Sequence, residues 1–158
     1  MKATLSEIEK YLKALEETPR SIARVINNID SGHLHDKLEK KSWSVNDILA
    51  HLRSCADVWG SSIEAMLAEN FPTLPDVHPR KWIKETNYLE LPFPESFQAF
   101  IDQREKLLRT LKSLSFEDWL RAALIGGRKH TVFTQVRRMA KHEQEHCKQI
   151  ESLLQGTS

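Results

Sequence analysis

Apolar residues recur at helical spacing along most of this chain, and that periodicity restricts the fold more than any other feature. The first helix is expected from about Thr4 to about Ile29. Thr4 and Glu7 have capping-box spacing, and Leu5, Ile8, Leu12, Leu15, Ile22, Val25, Ile26 and Ile29 form the stripe. Pro19 falls inside it. The second helix has the clearest start. Ser44 stands at N-cap and Asp47 at N3, with Trp43 and Ile48 spaced for a hydrophobic staple. It is expected to continue to about Asn70 through Leu52, Cys55, Trp59, Ile63 and Met66. Between Phe71 and Phe93, four prolines forbid a continuous helix. The third helix is expected from about Pro94 to about Leu114, with Phe97, Phe100, Ile101, Leu107, Leu108 and Leu111 on its apolar side. A turn near Phe116 to Leu120 and a Gly126-Gly127 loop lead to the fourth helix, from near Thr131 to about Leu154. No segment shows sustained strand alternation. The expected fold is all-α: a four-helix bundle with a long crossover loop between helices 2 and 3.

The chain has 158 residues, which suits a single domain spanning 1–158. A net charge of +1 lacks the footprint of a dedicated nucleic-acid binder. Two cysteines, Cys55 and Cys147, make no disulfide scaffold, so a reducing compartment is expected. With no apolar leader and no long apolar run, the expectation is a cytoplasmic chain without a membrane partner. A homodimer is expected, since bundles with surplus apolar faces often pair.

Histidine is the unusual residue, with seven copies. His142 and His146 are four apart in the fourth helix and share one face. Such spacing arises readily by chance. Their position on the helical wheel is more telling, because both fall in the middle of the stripe made by Val132, Met139, Ile150 and Leu153. Two imidazoles aimed into a bundle need polar partners, which a metal ion or a buried hydrogen-bond network supplies. His51, flanking the stripe of the second helix, is one candidate for a third ligand. His33, His35, His78 and His130 fall in loops or at helix ends and are expected to be incidental. Residues 142–146 also match His-Glu-x-x-His of zinc metalloproteases. Only twelve residues follow His146, too few for the rest of that machinery. Glu143 is the candidate catalytic residue, as a base or as a partner orienting a histidine, although a helix-surface role is slightly favoured.

The stretch Trp43-Ser44-Val45-Asn46-Asp47-Ile48-Leu49-Ala50-His51-Leu52 resembles the second-helix signature of the DinB-like superfamily, which includes bacillithiol and mycothiol S-transferases. Met139 to Ile150, with its His-x-x-x-His pair followed by Gln149-Ile150, resembles the last-helix signature, and Arg104 to Trp119 is similar to the third helix and its following turn. The resemblance implies a four-helix bundle with a divalent metal, zinc or nickel, held by His51, His142 and His146. Cys147 stands where one form of the family carries another histidine.

Three histidine ligands leave coordination positions open, as in reactive sites. The resemblance implies metal-dependent S-transfer or detoxification, in which a low-molecular-weight thiol attacks a small-molecule electrophile. Two alternatives stay open. One is a metal-dependent hydrolase that activates water, with Glu143 as base. The other is a non-enzymatic bundle with a structural or vacant site. Cys55, one turn beyond His51, is read as a small buried hydrophobe, with a mixed His/Cys site as its alternative. The Phe71–Phe93 segment, with Trp82 and Tyr88, either covers the site mouth or simply crosses over.

Overall fold

The computed structural model describes residues 2–28 and 31–157. Four long helices carry the fold: α1 (Leu5–Ile26), α2 (Val45–Ala68), α4 (Phe93–Lys112) and α6 (Val132–Thr157). Short helices α3 (Pro79–Trp82) and α5 (Phe116–Trp119) lie in the connections. The expected end of the first helix at Ile29 lies outside the described residues. The helix closes at Ile26, with Asn27 as its C-cap.

Local chemistry sets these boundaries. Thr4 Oγ1 accepts the Glu7 N–H at 3.1 Å. At the start of α2 the capping box is complete: Ser44 Oγ accepts the Asp47 N–H, and Asp47 Oδ2 accepts the Ser44 N–H, both at 3.0 Å. Trp43 packs against the cluster that contains Ile48. Thr131 Oγ1 accepts the Thr134 N–H at 3.1 Å and caps α6. The far end of α2 is held by Arg121, which donates to the Met66 and Glu69 carbonyls.

Each of α1 and α2 packs against both α4 and α6, so α4 and α6 face one another across a diagonal. Tyr11 meets Phe133 and Thr18 meets Glu143, so α1 and α6 run parallel. Arg53 reaches Ser96 and Asp57 reaches Gln103, so α2 and α4 also run parallel. Neighbouring parallel helices need a connection that returns along the bundle. Residues 69–92 are that crossover.

Asp57 anchors the crossover. Its carboxylate accepts from Trp82 Nε1 at 3.0 Å, from the Tyr88 hydroxyl at 2.5 Å and from Gln103 Nε2 at 2.7 Å. The Arg53 guanidinium lies 3.7 Å from the Tyr88 ring centre. Burial, then the Asp57 hydrogen bond, pushes the Tyr88 phenol up to about 12, so it remains a donor.

Two features differ from the sequence expectation. Leu5 is exposed rather than part of the core stripe, because it occupies the first helical turn beyond the packed layer. A small sheet is also present. β1 (Thr73–Leu74) pairs in parallel with β2 (Ala122–Ile125), which pairs antiparallel with β3 (Arg128–Thr131). These strands are too short to give legible alternation, although Ala123 and Ile125 do point into the core. The two-residue turn between β2 and β3 is Gly126-Gly127, with φ of 58° and 77°. Positive φ at both positions matches the twist of a tight hairpin.

Gly126 is the stricter of the two. A Cβ there would lie 2.9 Å from Asp76 Oδ2, whereas a Cβ at Gly127 meets nothing within 4 Å. Gly127→Ala is expected to cost about 1 kcal/mol from backbone conformation alone, and Gly126→Ala about 1–2 kcal/mol more. Urea denaturation of the two variants measures the difference.

Candidate metal centre

His51 lies in the second turn of α2, and His142 and His146 lie one turn apart on α6. Because α2 and α6 pack antiparallel, the three rings converge. His51 Nε2 stands 3.2 Å from His142 Nε2, which stands 3.1 Å from His146 Nε2. The three ligand atoms all lie within 4.8 Å of one another. Trp43 walls one side, with ring centres 5.0 Å from His51 and 6.2 Å from His146. Trp59 meets His142 edge-on at 5.2 Å.

This donor set fits a divalent cation. Burial, then the neighbouring imidazoles and the Arg80 and His78 charges, lowers His51 to about 4. Burial, then His146, lowers His142 to about 4. Both rings are therefore neutral at ordinary pH, the form that ligates metal. The His146 Nδ1–H donates to Gln149 Oε1 at 2.8 Å, which turns the Nε2 lone pair towards the other two rings. Three facing lone pairs cannot satisfy one another, and a cation satisfies all three. His142 Nδ1 is buried and has no partner among the described residues.

Cys55 Sγ lies 3.6 Å from His51 Nε2, yet the cluster of mutually close ligand atoms comprises the three imidazoles without it. Burial pushes both Cys55 and Cys147 thiols up to about 12, so neither offers a thiolate at neutral pH. Cys55 packs into the core. His33 and His35 are exposed, and His130 is half-buried on β3. His78 caps α3, accepting the Arg80 N–H at 3.2 Å.

Glu143 is not on the helix surface. It is 1% exposed and points away from the histidines, between α1 and α4. Arg104, 3% exposed, donates to Oε1 at 2.7 Å and to Oε2 at 2.5 Å. The Thr18 hydroxyl donates to Oε1 at 2.7 Å. Arg104 also donates to the Leu15 carbonyl at 2.9 Å. Sequence reasoning passed over Arg104 and Thr18. A signal existed: Arg104 occupies a core position between Phe100 and Leu107 in the apolar stripe of its helix.

A cavity of about 250 Å³ is bounded by α2, α6, Ile125 and the crossover residues 74–79 and 82, and none of the three histidines lines it. Trp59 and Arg138 line it, and the Arg138 guanidinium carbon lies 4.8 Å from the Trp59 ring centre.

Two outcomes are expected. Arg104→Met leaves a buried unpaired carboxylate and is expected to cost about 3–5 kcal/mol, while the double variant Arg104→Met/Glu143→Leu loses much less than the sum of the singles. Chemical denaturation of the double-mutant cycle reads this coupling. The histidines set a pH dependence. Their folded values near 4 lie below the ordinary 6.5, so between those values the unfolded chain binds more protons. The metal-free chain is expected to lose stability as pH falls from about 6.5 towards 4. His142→Gln should flatten that slope in urea midpoints measured across the range.

Comparison with known proteins agrees with this fold. No curated protein sequence matches the chain. Among solved structures, YfiT from Bacillus subtilis, described as a probable metal-dependent hydrolase with an unusual four-helix bundle topology, superposes with a TM-score of 0.83 at 15% identity, covering 99% of this chain and 90% of that one. A mycothiol-dependent maleylpyruvate isomerase superposes with a TM-score of 0.68 at 13% identity, over 89% of this chain and 59% of that one. Both likenesses are of fold. The model of the DinB superfamily matches residues 14–150, and with that match over most of its length the chain belongs to the DinB superfamily.

Proposed function

We propose that this chain is a metal-dependent enzyme that transfers a low-molecular-weight thiol to a small-molecule electrophile. The observation that carries the reading is the convergence of three imidazoles, His51, His142 and His146, on one point. A divalent cation, zinc or nickel, held by neutral ligands keeps its full charge and supplies the Lewis acidity that favours a thiolate over a thiol. In such a transfer the thiol gives its proton to solvent, the thiolate sulfur bonds to the electrophilic carbon, and the bond from that carbon to the leaving group breaks with its electron pair.

The chain's own residues bear on the reactant through charge and through aromatic walls. Arg80 bears on His51 as a positive charge, while at His142 the Glu143 and Glu145 carboxylates outweigh the Arg138 guanidinium, so the positive field lies on the α2 side of the site. Trp43 and Trp59 wall the cluster with aromatic surface, which limits water near the reacting sulfur. The thiol dependence of the maleylpyruvate isomerase belongs to that protein, and it favours the same class of chemistry here. The description of YfiT favours hydrolysis as a second reading. That reading had Glu143 as its base, and both Glu143 oxygens are already engaged by Arg104 and Thr18. We assign Glu143 to positioning α6 rather than to proton transfer. A homodimeric state and a cytoplasmic setting complete the proposal. No helix among the described residues is long and apolar enough to cross a membrane.

Metal analysis tests the centre. The purified chain is expected to hold about one divalent ion, and His51→Ala, His142→Ala and His146→Ala each to lose most of it. Full retention by all three sinks the centre. With cobalt in place, a thiol is expected to shift the visible spectrum and to form S-conjugates with an electrophile. Thiol-independent turnover of an ester or amide would instead establish the hydrolase, and stability indifferent to chelator would establish a bundle without a functional metal.

A further inference from the structure

The cavity bounded by α2, α6 and the crossover carries charges of its own, apart from the histidine centre. Trp59 divides the two: its ring meets His142 edge-on at 5.2 Å and also lines the cavity. Most of the wall is apolar, from Val58, Leu74, Val77, Trp82 and Ile125. Two exposed charges of opposite sign interrupt it, Arg138 on α6 and Asp76 on the crossover. They do not pair with one another, and among the described residues neither has an ion-pair partner. The other carboxylate of the wall, Asp57, is taken up by Trp82, Tyr88 and Gln103.

Each charge is placed by a local feature. The Arg138 guanidinium carbon lies 4.8 Å from the Trp59 ring centre. A guanidinium over an aromatic face keeps N–H donors for a carboxylate, which its fork matches. The Asp76 carboxylate lies against the turn at Gly126, where a Cβ would come within 2.9 Å of Oδ2. Burial lowers His130 on β3, and the Arg138 and Asp76 charges act on it in opposite senses, so both stand within electrostatic reach of one residue. A carboxylate and an ammonium group on one molecule satisfy both charges. An apolar cavity of about 150 Å³ holds a molecule the size of benzene, so this one, at about 250 Å³, has room for a small aliphatic side chain as well. We propose that the cavity is a binding site for a zwitterionic α-amino acid with an apolar side chain, its carboxylate on Arg138, its ammonium on Asp76 and its side chain against Val58, Leu74 and Ile125. The site is separate from the metal centre and stands whether or not the thiol reading does.

Leucine is the probe, because close relatives lack one group each: 4-methylpentanoate has no ammonium, 3-methylbutylamine no carboxylate, and glycine no apolar side chain. In calorimetric titrations of the purified chain, leucine is expected to bind about tenfold more tightly than any of the three. Arg138→Met should weaken leucine about tenfold and leave 3-methylbutylamine no weaker, since that amine never used the guanidinium. Asp76→Asn should weaken leucine by a similar factor and leave 4-methylpentanoate no weaker. Both residues are exposed, and unchanged urea midpoints show that the variants fold. His142→Ala, which removes a metal ligand, should bind leucine as the parent does, so failure of the metal centre and failure of this site are read separately. No leucine binding up to about 10 mM, equal binding of leucine and its three relatives, or leucine affinity unchanged in either cavity variant overturns the proposal. Leucine binding lost in His142→Ala places the ligand at the metal centre instead and equally overturns it.

Discussion

A carboxylate and a guanidinium meet inside the bundle almost out of reach of water, and the placement of α6 depends on them. Glu143 and Arg104 join the two helices that face each other across the diagonal, and Thr18 and the Leu15 carbonyl tie α1 to the same pair. Taking both charges out of water is expensive, and the cost is offset only when the hydrogen bonds are nearly complete. That requirement makes the network selective. A rotation of α6 that left Glu143 unpaired would be penalised far more than a loss of apolar contact. With Glu143 fixed towards α1 and α4, its neighbour His142 and the ring of His146 are turned to α2, where His51 waits.

The histidine cluster is therefore a consequence of two opposed helix faces. One face of α6 is closed by an ion pair that needs nothing further. The other presents imidazoles whose lone pairs face one another and do need something further. Burial keeps His51 and His142 neutral, which suits cation binding and disfavours the doubly protonated alternative. Trp43 and Trp59 stiffen the arrangement from two sides, and Gln149 fixes the His146 tautomer.

The crossover follows from the parallel pairing of α2 and α4. Since those helices point the same way, the chain must return along the bundle, and in doing so residues 74–79 and 82 help to enclose a cavity against α2 and α6. Asp57 holds that return through Trp82 and Tyr88. A residue that the helical wheel places off the apolar stripe thus helps to set the shape of the cavity.

Much of this was legible in the residues. The four long helices, the Ser44–Asp47 capping box and the prolines that enforce the crossover depend on neighbours within a few positions, and local sequence specifies such features directly. The pair at His142 and His146 was legible for the same reason, while His51 was only one candidate until the resemblance singled it out. The small sheet was not legible, because strands of two and four residues acquire their identity from pairing between distant segments. Glu143 read as a surface carboxylate because its partner lies 39 positions away on another helix. Sequence by itself determined which faces are apolar and which residues can ligate, since side-chain chemistry and helical period are local. Only the tertiary structure decided which buried charges are paired and which imidazoles converge, since those depend on what the opposing helix brings within about 3 Å.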